Sequence, residues 1–447
     1  MKFEVRWKLH AIWSMVVVLL VGLTYGQDKS EKAEKSDKKA NDEYYELMRT
    51  FADTFEQVER NYVKKVDRKK MLEAALRGML VELDPYSSYI SPEELAQFNQ
   101  SVDQEFGGIG IQVQIEQHSD RIQVISPLPD TPAYRAGVRA GDLIMTIEGQ
   151  STERMPLSKA VQLMQGPPGG KVKISIRHMG ESNDQDVELT REIIRVKSVK
   201  GDYYKPDGTP EFMVDKENKI GLVRLTQFGR HSSEELADAV KELQDGGMKA
   251  LILDLRNNPG GLLTQAVEIS DLFIESGVIV STEGNNSQPK SWSATKEGTF
   301  SGFPMVILVN RFSASASEIV SACLQDHKRA LIIGERSWGK GSVQNVIPLE
   351  AGAAALKLTT ASYKRPSGKN IHRFPDSKQE DEWGVMPDAG FEVKLDLKEL
   401  RDLEQYRRDR DVIRKDGPAA STFQDKQLNK ALEHLKAALT TAEKKAA

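Results

Sequence analysis

A single cysteine, Cys323, in 447 residues excludes an intrachain disulfide and any metal site built from several thiolates. HExxH is absent, so no catalytic metal is expected. GGIGIQ at 107–112 lacks the third glycine of a dinucleotide loop, and no cofactor is expected. Charge of one sign is missing too. With 62 basic residues against 66 acidic, the formal net charge of -4 offers no bulk attraction for nucleic acid. No serine sits in a G-x-S-x-G elbow, the sharp turn on which many Ser-His-Asp hydrolases mount their nucleophile. Partners and chemistry must come from local patterns instead.

Residues 1–26 read as an export signal. Lys2, Arg6 and Lys8 precede the apolar stretch Ala11–Leu23, and Thr24 and Gly26 are small enough for cleavage. That stretch falls short of the roughly 20 residues that span a bilayer. Cleavage near Gly26 and an exported protein, periplasmic or associated with the cell envelope, are expected; an uncleaved membrane anchor is the alternative. Residues 27–42 alternate Lys with Asp and Glu, as a charged linker does. Residues 43–97 turn helical: Tyr44, Leu47, Met48, Phe51, Phe55, Val58 and Tyr62 recur at steps of three and four, and Met71 to Leu80 repeat the pattern. Ser91, Pro92 and Glu94 then spell an N-cap, a first-turn proline and a capping-box acid. Packing or dimer contacts are the expected role of this segment.

Residues 98–192 change to short strands. Gly107, Gly108, Ile109, Gly110 and Ile111 form a glycine loop feeding a half-buried strand in which Ile111, Val113 and Ile115 alternate. Successive N–H groups beside an open strand edge can hold a peptide's terminal carboxylate while the peptide pairs with the strand. With AGVRAGDLIMTIEG further on, this block resembles a PDZ domain, and the glycine loop is its expected peptide-binding site.

From 193 to 392, IGLVRL, ALILDL, MVILV and ALIIGE alternate with helical stretches, including Ser232–Leu243, capped by Ser232 or Ser233, and Leu262–Ile274. This predicts a largely parallel α/β sheet with function at the strand C-termini. NNPGG and RFSASAS both stand at such ends. Asp202–Glu217 reads as a polar hairpin. Residues 393–447 predict two charged helices, with Leu428, Leu432, Leu435 and Leu439 striped to pack on another subunit or on the N-terminal helices; a loosely attached tail is the alternative. The fold class expected is therefore a multidomain α/β chain: helical N-terminal segment, PDZ-like β-rich domain, α/β core and helical C-terminal region.

Ser313, Ser315 and Ser317 lie where a strand turns into a helix, where unpaired N–H groups favour a developing oxyanion. Ser315 and Glu318 equally spell a capping box, and Ser317 a plain cap. The next loop, GERSWGKGSVQ, admits three readings. Gly334–Lys340 fits G-x-x-x-x-G-K, but Gly341 stands where a phosphate loop needs Ser or Thr for magnesium. Ser337–Lys340 fits S-x-x-K without its companion S-D-N and K-T-G motifs. The third makes Lys340 a general base. Moving an amine from ~10.4 to near 7 or 8 takes roughly 4 kcal/mol, which desolvation supplies provided no carboxylate touches it. Gln344 could orient such an amine without a carboxylate's pull. His231, His327 and His372 with Asp254 or Asp388 leave a Ser-His-Asp triad as an alternative. Cys323 falls on an apolar helix face, as a packed thiol would.

Together LDPYSSYISPEE, FGGIG, LDLRNNPGG, FSASASEI, GERSWGKGSVQ and YKRPSGKNI make the chain resemble the carboxyl-terminal processing proteases, the tail-specific Ser/Lys peptidases of family S41, over about 44–393. The resemblance implies Ser315 as nucleophile, Lys340 as base, Gln344 as orienting residue, and the N–H groups of Gly261 and Ala316 as oxyanion hole. The choice of Ser315 over its neighbours rests on that resemblance. It further implies an exported serine endopeptidase that recognises protein C-terminal tails through the PDZ domain, with an adaptor protein and a homo-oligomer as further partners. Gln165 departs from the family, many members of which carry a basic residue there. The alternatives are a non-catalytic scaffold that only binds tails and a Ser-His-Asp hydrolase.

Overall fold

The computed structural model describes residues 42–446; the expected export signal and all but the end of the charged linker lie outside them. The chain divides between Glu82 and Leu83. Before the division stand a helix at 42–61 and the helix Arg68–Val81, the latter opened by Asp67, whose carboxylate accepts the N–H groups of Lys69 and Lys70. Tyr44, Leu47, Met48 and Phe51 are exposed along the first of these helices.

Beyond Leu83, a parallel sheet runs in the order Ile220–Leu225, Ala250–Asp254, Met305–Val309, Leu331–Gly334, with Val199–Lys200 antiparallel at one edge. These strands read as unbroken apolar runs because both faces are covered. Leu251, Leu253, Met305 and Ile307 pack with the helices Ser232–Asp245, Leu263–Asp271 and Ala316–Asp326. Ala250, Ile252, Val306 and Leu308 face the opposite way, onto Leu428, Ala431 and Leu435 of the helix Lys426–Ala446. The leucine stripe thus packs on the sheet of its own unit, and Leu432 and Leu439 lie against the same cluster. This corrects the expectation of a free tail or a stripe for another subunit: the stripe covers a second apolar face of the α/β sheet, on which Val214, Phe391 and Val393 also pack.

A second sheet joins Ser342–Leu349, Ala354–Lys364, Val278–Gly284, Ser287–Ser293 and the short strand Ser88–Ile90. Ser91 caps the helix Pro92–Asp103 in a complete box with Glu94, as the sequence indicates. The serine caps expected for the Ser232–Asp245 helix are not used. Its N-cap is His231, and the Ser232 hydroxyl accepts Gly229 N–H and donates to the Gln227 carbonyl.

The PDZ block is an antiparallel sheet ordered Ile111–Ile115, Ile122–Pro127, Leu143–Ile147, Lys171–Arg177, Gln185–Thr190, with the helix Leu157–Met164. Among the described residues Ile111–Ile115 has one neighbouring strand, which leaves its other edge open for strand addition. Glu105–Gly108 pairs with Glu192–Arg195, the strand leading into the α/β portion. Ile109 is 2% exposed within the PDZ core, so only its backbone could meet a peptide. Gly110 has φ +77°, and the Thr131 side chain occupies the space a Cβ would need.

Candidate active site

Three serines within five residues suffer different fates. The Ser313 hydroxyl accepts Asn310 N–H at 2.9 Å and donates to the Leu255 carbonyl at 2.8 Å. The Ser317 hydroxyl donates to the Asn258 carbonyl at 3.0 Å. Both are tied to backbone and hold the serine loop against the strand end and the NNPGG turn. Ser315 makes no such bond; its side chain lies near the Tyr363 phenol instead. Burial pushes that phenol up to about 12, so it stays neutral.

Ser315 is 7% exposed at the N-cap of the Ala316–Asp326 helix, with φ 56° and ψ -114°. A non-glycine residue there is strained by about 1–3 kcal/mol and persists only where its surroundings hold it. Glu318 provides that hold. Its carboxylate accepts Ser315 N–H at 2.8 Å, while Glu318 N–H donates to the Ser315 carbonyl at 2.8 Å. The carboxylate half of the capping box therefore forms and leaves the serine hydroxyl out of it.

The NNPGG turn closes on this residue. Asn258 donates through Nδ2 to the Leu225 carbonyl at 2.7 Å, and its Oδ1 accepts Gly260 N–H at 2.8 Å. A Cβ at Gly260 would stand 2.9 Å from the Ala316 nitrogen. Gly261 is exposed beside it. Neither Gly261 N–H nor Ala316 N–H has a partner among the described residues. The expected oxyanion donors thus lie on adjoining turns.

Lys340 comes from the loop after Leu331–Gly334. Its Nζ stands 5.0 Å from the centroid of the Tyr86 ring, and no ion pair reaches it among the described residues. Burial lowers its pKa and the positive charge of Lys357 adds to this, against the pull of Glu318 and Asp84. Gln344 follows on the strand Ser342–Leu349; its Nε2 donates to the Ser342 hydroxyl at 2.9 Å and to Thr359 Oγ1 at 3.3 Å, which leaves Oε1 as acceptor. No hydrogen bond joins Lys340 Nζ to Ser315 or Gln344 among the described residues.

The competing readings of this loop fare differently. Gly339 N–H and Lys340 N–H, the groups a phosphate loop would offer its ligand, both donate to Glu318, at 2.6 and 2.8 Å. Ser342–Leu349 is a strand where a phosphate loop needs a helix. For a triad, Asp254 is clamped by Arg256 at 2.7 Å, and Asp388 accepts Ile332 N–H at 2.7 Å. His327 bonds the Val278 carbonyl at 2.8 Å. His231 stands between Glu105 and Glu234, and His372 packs edge-on to Phe374. Cys323 is fully buried, its thiol pushed up to about 12 by burial. Among the described residues no group of three or more His, Cys, Asp or Glu could hold a metal ion.

Sequence reasoning missed three neighbours of the site. Tyr86 and Asp84 belong to LDPYSSYISPEE, which counted only toward the family resemblance, and Tyr363 lies in the strand opposite Thr282. All three stand in segments quoted for that resemblance, LDPYSSYISPEE and YKRPSGKNI, but nothing in either segment marks a neighbour of the serine.

Comparison with known proteins gives the chain a family. The model of Peptidase family S41 matches residues 219–389, that of the PDZ domain 99–177, and that of the Activating protease CtpB N-terminal domain 16–94. A carboxy-terminal-processing protease of Bartonella bacilliformis is 39% identical over 414 residues, covering 89% of this chain and 90% of the relative. The carboxy-terminal processing protease CtpA of Bacillus subtilis is 34% identical over 366 residues, 78% of this chain and 75% of the relative. A carboxyl-terminal-processing protease of Synechocystis is 33% identical over 336 residues, 75% of this chain and 74% of the relative. With matches of this extent, the chain belongs to the carboxy-terminal processing proteases, serine-type peptidases of family S41 that carry a PDZ domain.

Proposed function

We propose that this peptidase cleaves protein substrates with a Ser315–Lys340 dyad after taking hold of their C-terminal tails. The observation that carries the reading is the fate of the three serines: Ser313 and Ser317 are committed to carbonyl groups, while Ser315 keeps its hydroxyl clear of the backbone at a helix N-terminus. Ser315 Oγ attacks the scissile carbonyl and gives its proton to the neutral amine of Lys340. The N–H groups of Ala316 and Gly261 receive the oxyanion. Lys340 passes the proton to the leaving amine, and water then releases the acyl group. Gln344 orients the amine through Oε1. Because Lys340 Nζ rests near Tyr86, attack requires it to swing toward the serine.

In this reading the tail pairs with the open edge of Ile111–Ile115 and its carboxylate meets the N–H groups of Gly107 to Ile111. The domains run as 98–192 for tail binding, 193–392 for catalysis and 393–447 as the helical C-terminal region. Export through residues 1–26, self-association through the N-terminal helices and help from an adaptor protein complete the proposal.

The test is incubation of an unstructured protein ending in apolar residues with the wild type, Ser315→Ala and Lys340→Ala. Cleavage by the wild type alone supports the dyad. Turnover by folded Lys340→Ala would exclude it.

A further inference from the structure

The two side chains of the proposed dyad come from separate loops, and something must keep those loops in register. Glu318, with no exposure at all, accepts four hydrogen bonds. Its Oε2 takes Ser315 N–H and Lys340 N–H, both at 2.8 Å. Its Oε1 takes Gly339 N–H and the Ser337 hydroxyl, both at 2.6 Å. One carboxylate oxygen therefore bridges the peptide groups of the proposed nucleophile and base.

The protonation state of Glu318 follows from the same contacts. The Ser337 hydroxyl accepts Val385 N–H at 2.7 Å, so its own proton points to Glu318. All four partners are donors, and a protonated carboxyl would have to turn its O–H onto one of them. Glu318 is held as an anion although burial pushes its carboxyl upward. A surface capping box needs one such bond. Burying a charge and giving it three further donors from another loop exceeds what starting a helix requires.

We infer that Glu318 is a positioning residue for catalysis, fixing the Ser315 and Lys340 backbones against each other. The inference rests on the Ser315–Lys340 reading. The groups that face that amine are Glu318 on the serine helix, Asp84 and Tyr86 in the turn after Leu83, and Lys357 on the strand Ala354–Lys364, with the His372 backbone packed on Gly341 behind. Glu318 and Asp84 favour the charged amine; Lys357 and burial oppose it. Removing the Glu318 charge lets the amine lose its proton at lower pH.

The experiment measures kcat and KM for the full-length protein across pH on the unstructured substrate. Glu318→Gln keeps the shape, removes the charge and turns an amide N–H toward donors. It is expected to lower kcat about a hundredfold through misplacement, to hold KM within about twofold because the Glu318 carboxylate bonds only the serine and lysine loops, and to move the rising limb of the kcat profile to lower pH. Glu318→Asp retains the charge and should keep the limb at the wild-type position. A folded Glu318→Gln with wild-type kcat overturns the inference, and so does a fall in kcat with the limb unmoved, since that is all a structural cap would give. If Glu318→Gln does not fold, Glu318→Asp decides the matter: its shorter arm leaves the Gly339 and Lys340 amides, and an unchanged kcat overturns the inference. Lys340→Ala in the same assay separates the two readings. Activity there removes the dyad; an inactive Lys340→Ala beside a fully active Glu318→Gln removes only the positioning role.

Discussion

Gly260 packs directly against Ser315: a Cβ on the glycine would stand 2.8 Å from the serine Cβ and 2.7 Å from the Ala314 carbonyl oxygen. Its φ of +97° is also one that side chains avoid. Gly260→Ala must therefore displace either the NNPGG turn or the serine. A shift near 1 Å at reacting groups costs about a hundredfold. The variant should fold, bind tails as the wild type does, and lose about that much kcat in single-turnover cleavage.

The alkaline behaviour should depend on Lys357. Its positive charge is one of the two influences that lower the Lys340 pKa, after burial. In the proposed dyad the active form is the neutral amine, so activity should rise with pH through that lowered pKa. Lys357→Met withdraws the repulsion and should move the rising limb to higher pH with little change in the plateau. Lys340→Arg, charged at every accessible pH, should be inactive throughout. A pH–rate profile of both variants checks the direction.

The strand that ends in the NNPGG turn is anchored from the C-terminal region. Arg256, two residues past the end of Ala250–Asp254, is gripped by Asp254 at 2.7 and 2.9 Å and by Asp425 at 2.9 Å from each oxygen. Burial opposes ionisation of Asp425, but Arg256 and Arg407 outweigh it and hold its carboxyl at about 2. A depressed acid contributes stability above its unfolded pKa and loses it as pH falls through the folded one. Here that is about 2 kcal/mol, lost between roughly pH 4 and pH 2. Asp425→Asn leaves Arg256 partly uncompensated and should cost about 3–5 kcal/mol in urea unfolding at neutral pH.

Leu435 is fully buried against the parallel sheet. Leu435→Ala should lower unfolding stability by about 2–5 kcal/mol. Deleting the chain from Asp425 onward should yield insoluble protein, because Ile220, Leu222, Ile252 and Leu308 would lose their cover. Chemical denaturation and soluble yield measure the two effects.

The strand and loop order of the catalytic portion was legible because buried parallel strands and glycine turns are written locally: IGLVRL, ALILDL and MVILV each form the strand they spell. The Ser91 box was legible for the same reason. The stripe of Leu428 to Leu439 announced an apolar face without its destination, since which surface it meets depends on a sheet built from strands between Ile220 and Gly334, far earlier in the chain. Glu318 was legible as a cap and illegible as a bridge. Three of its four donors come from the loop after Leu331–Gly334, and no pattern around Glu318 shows that this loop folds back over it. The inward turn of Ile109 was hidden likewise, because a glycine loop advertises its backbone and not where its one large side chain goes.

The parity of a single strand divides labour in this molecule. Leu251 and Leu253 look toward the helix that begins at Ser315, whereas Ala250 and Ile252 look toward the closing helix. In a saturation library over these positions, damage at odd numbers should register first as slower turnover and damage at even numbers as shorter shelf life. Evolution can then adjust tempo and endurance through neighbouring codons almost independently.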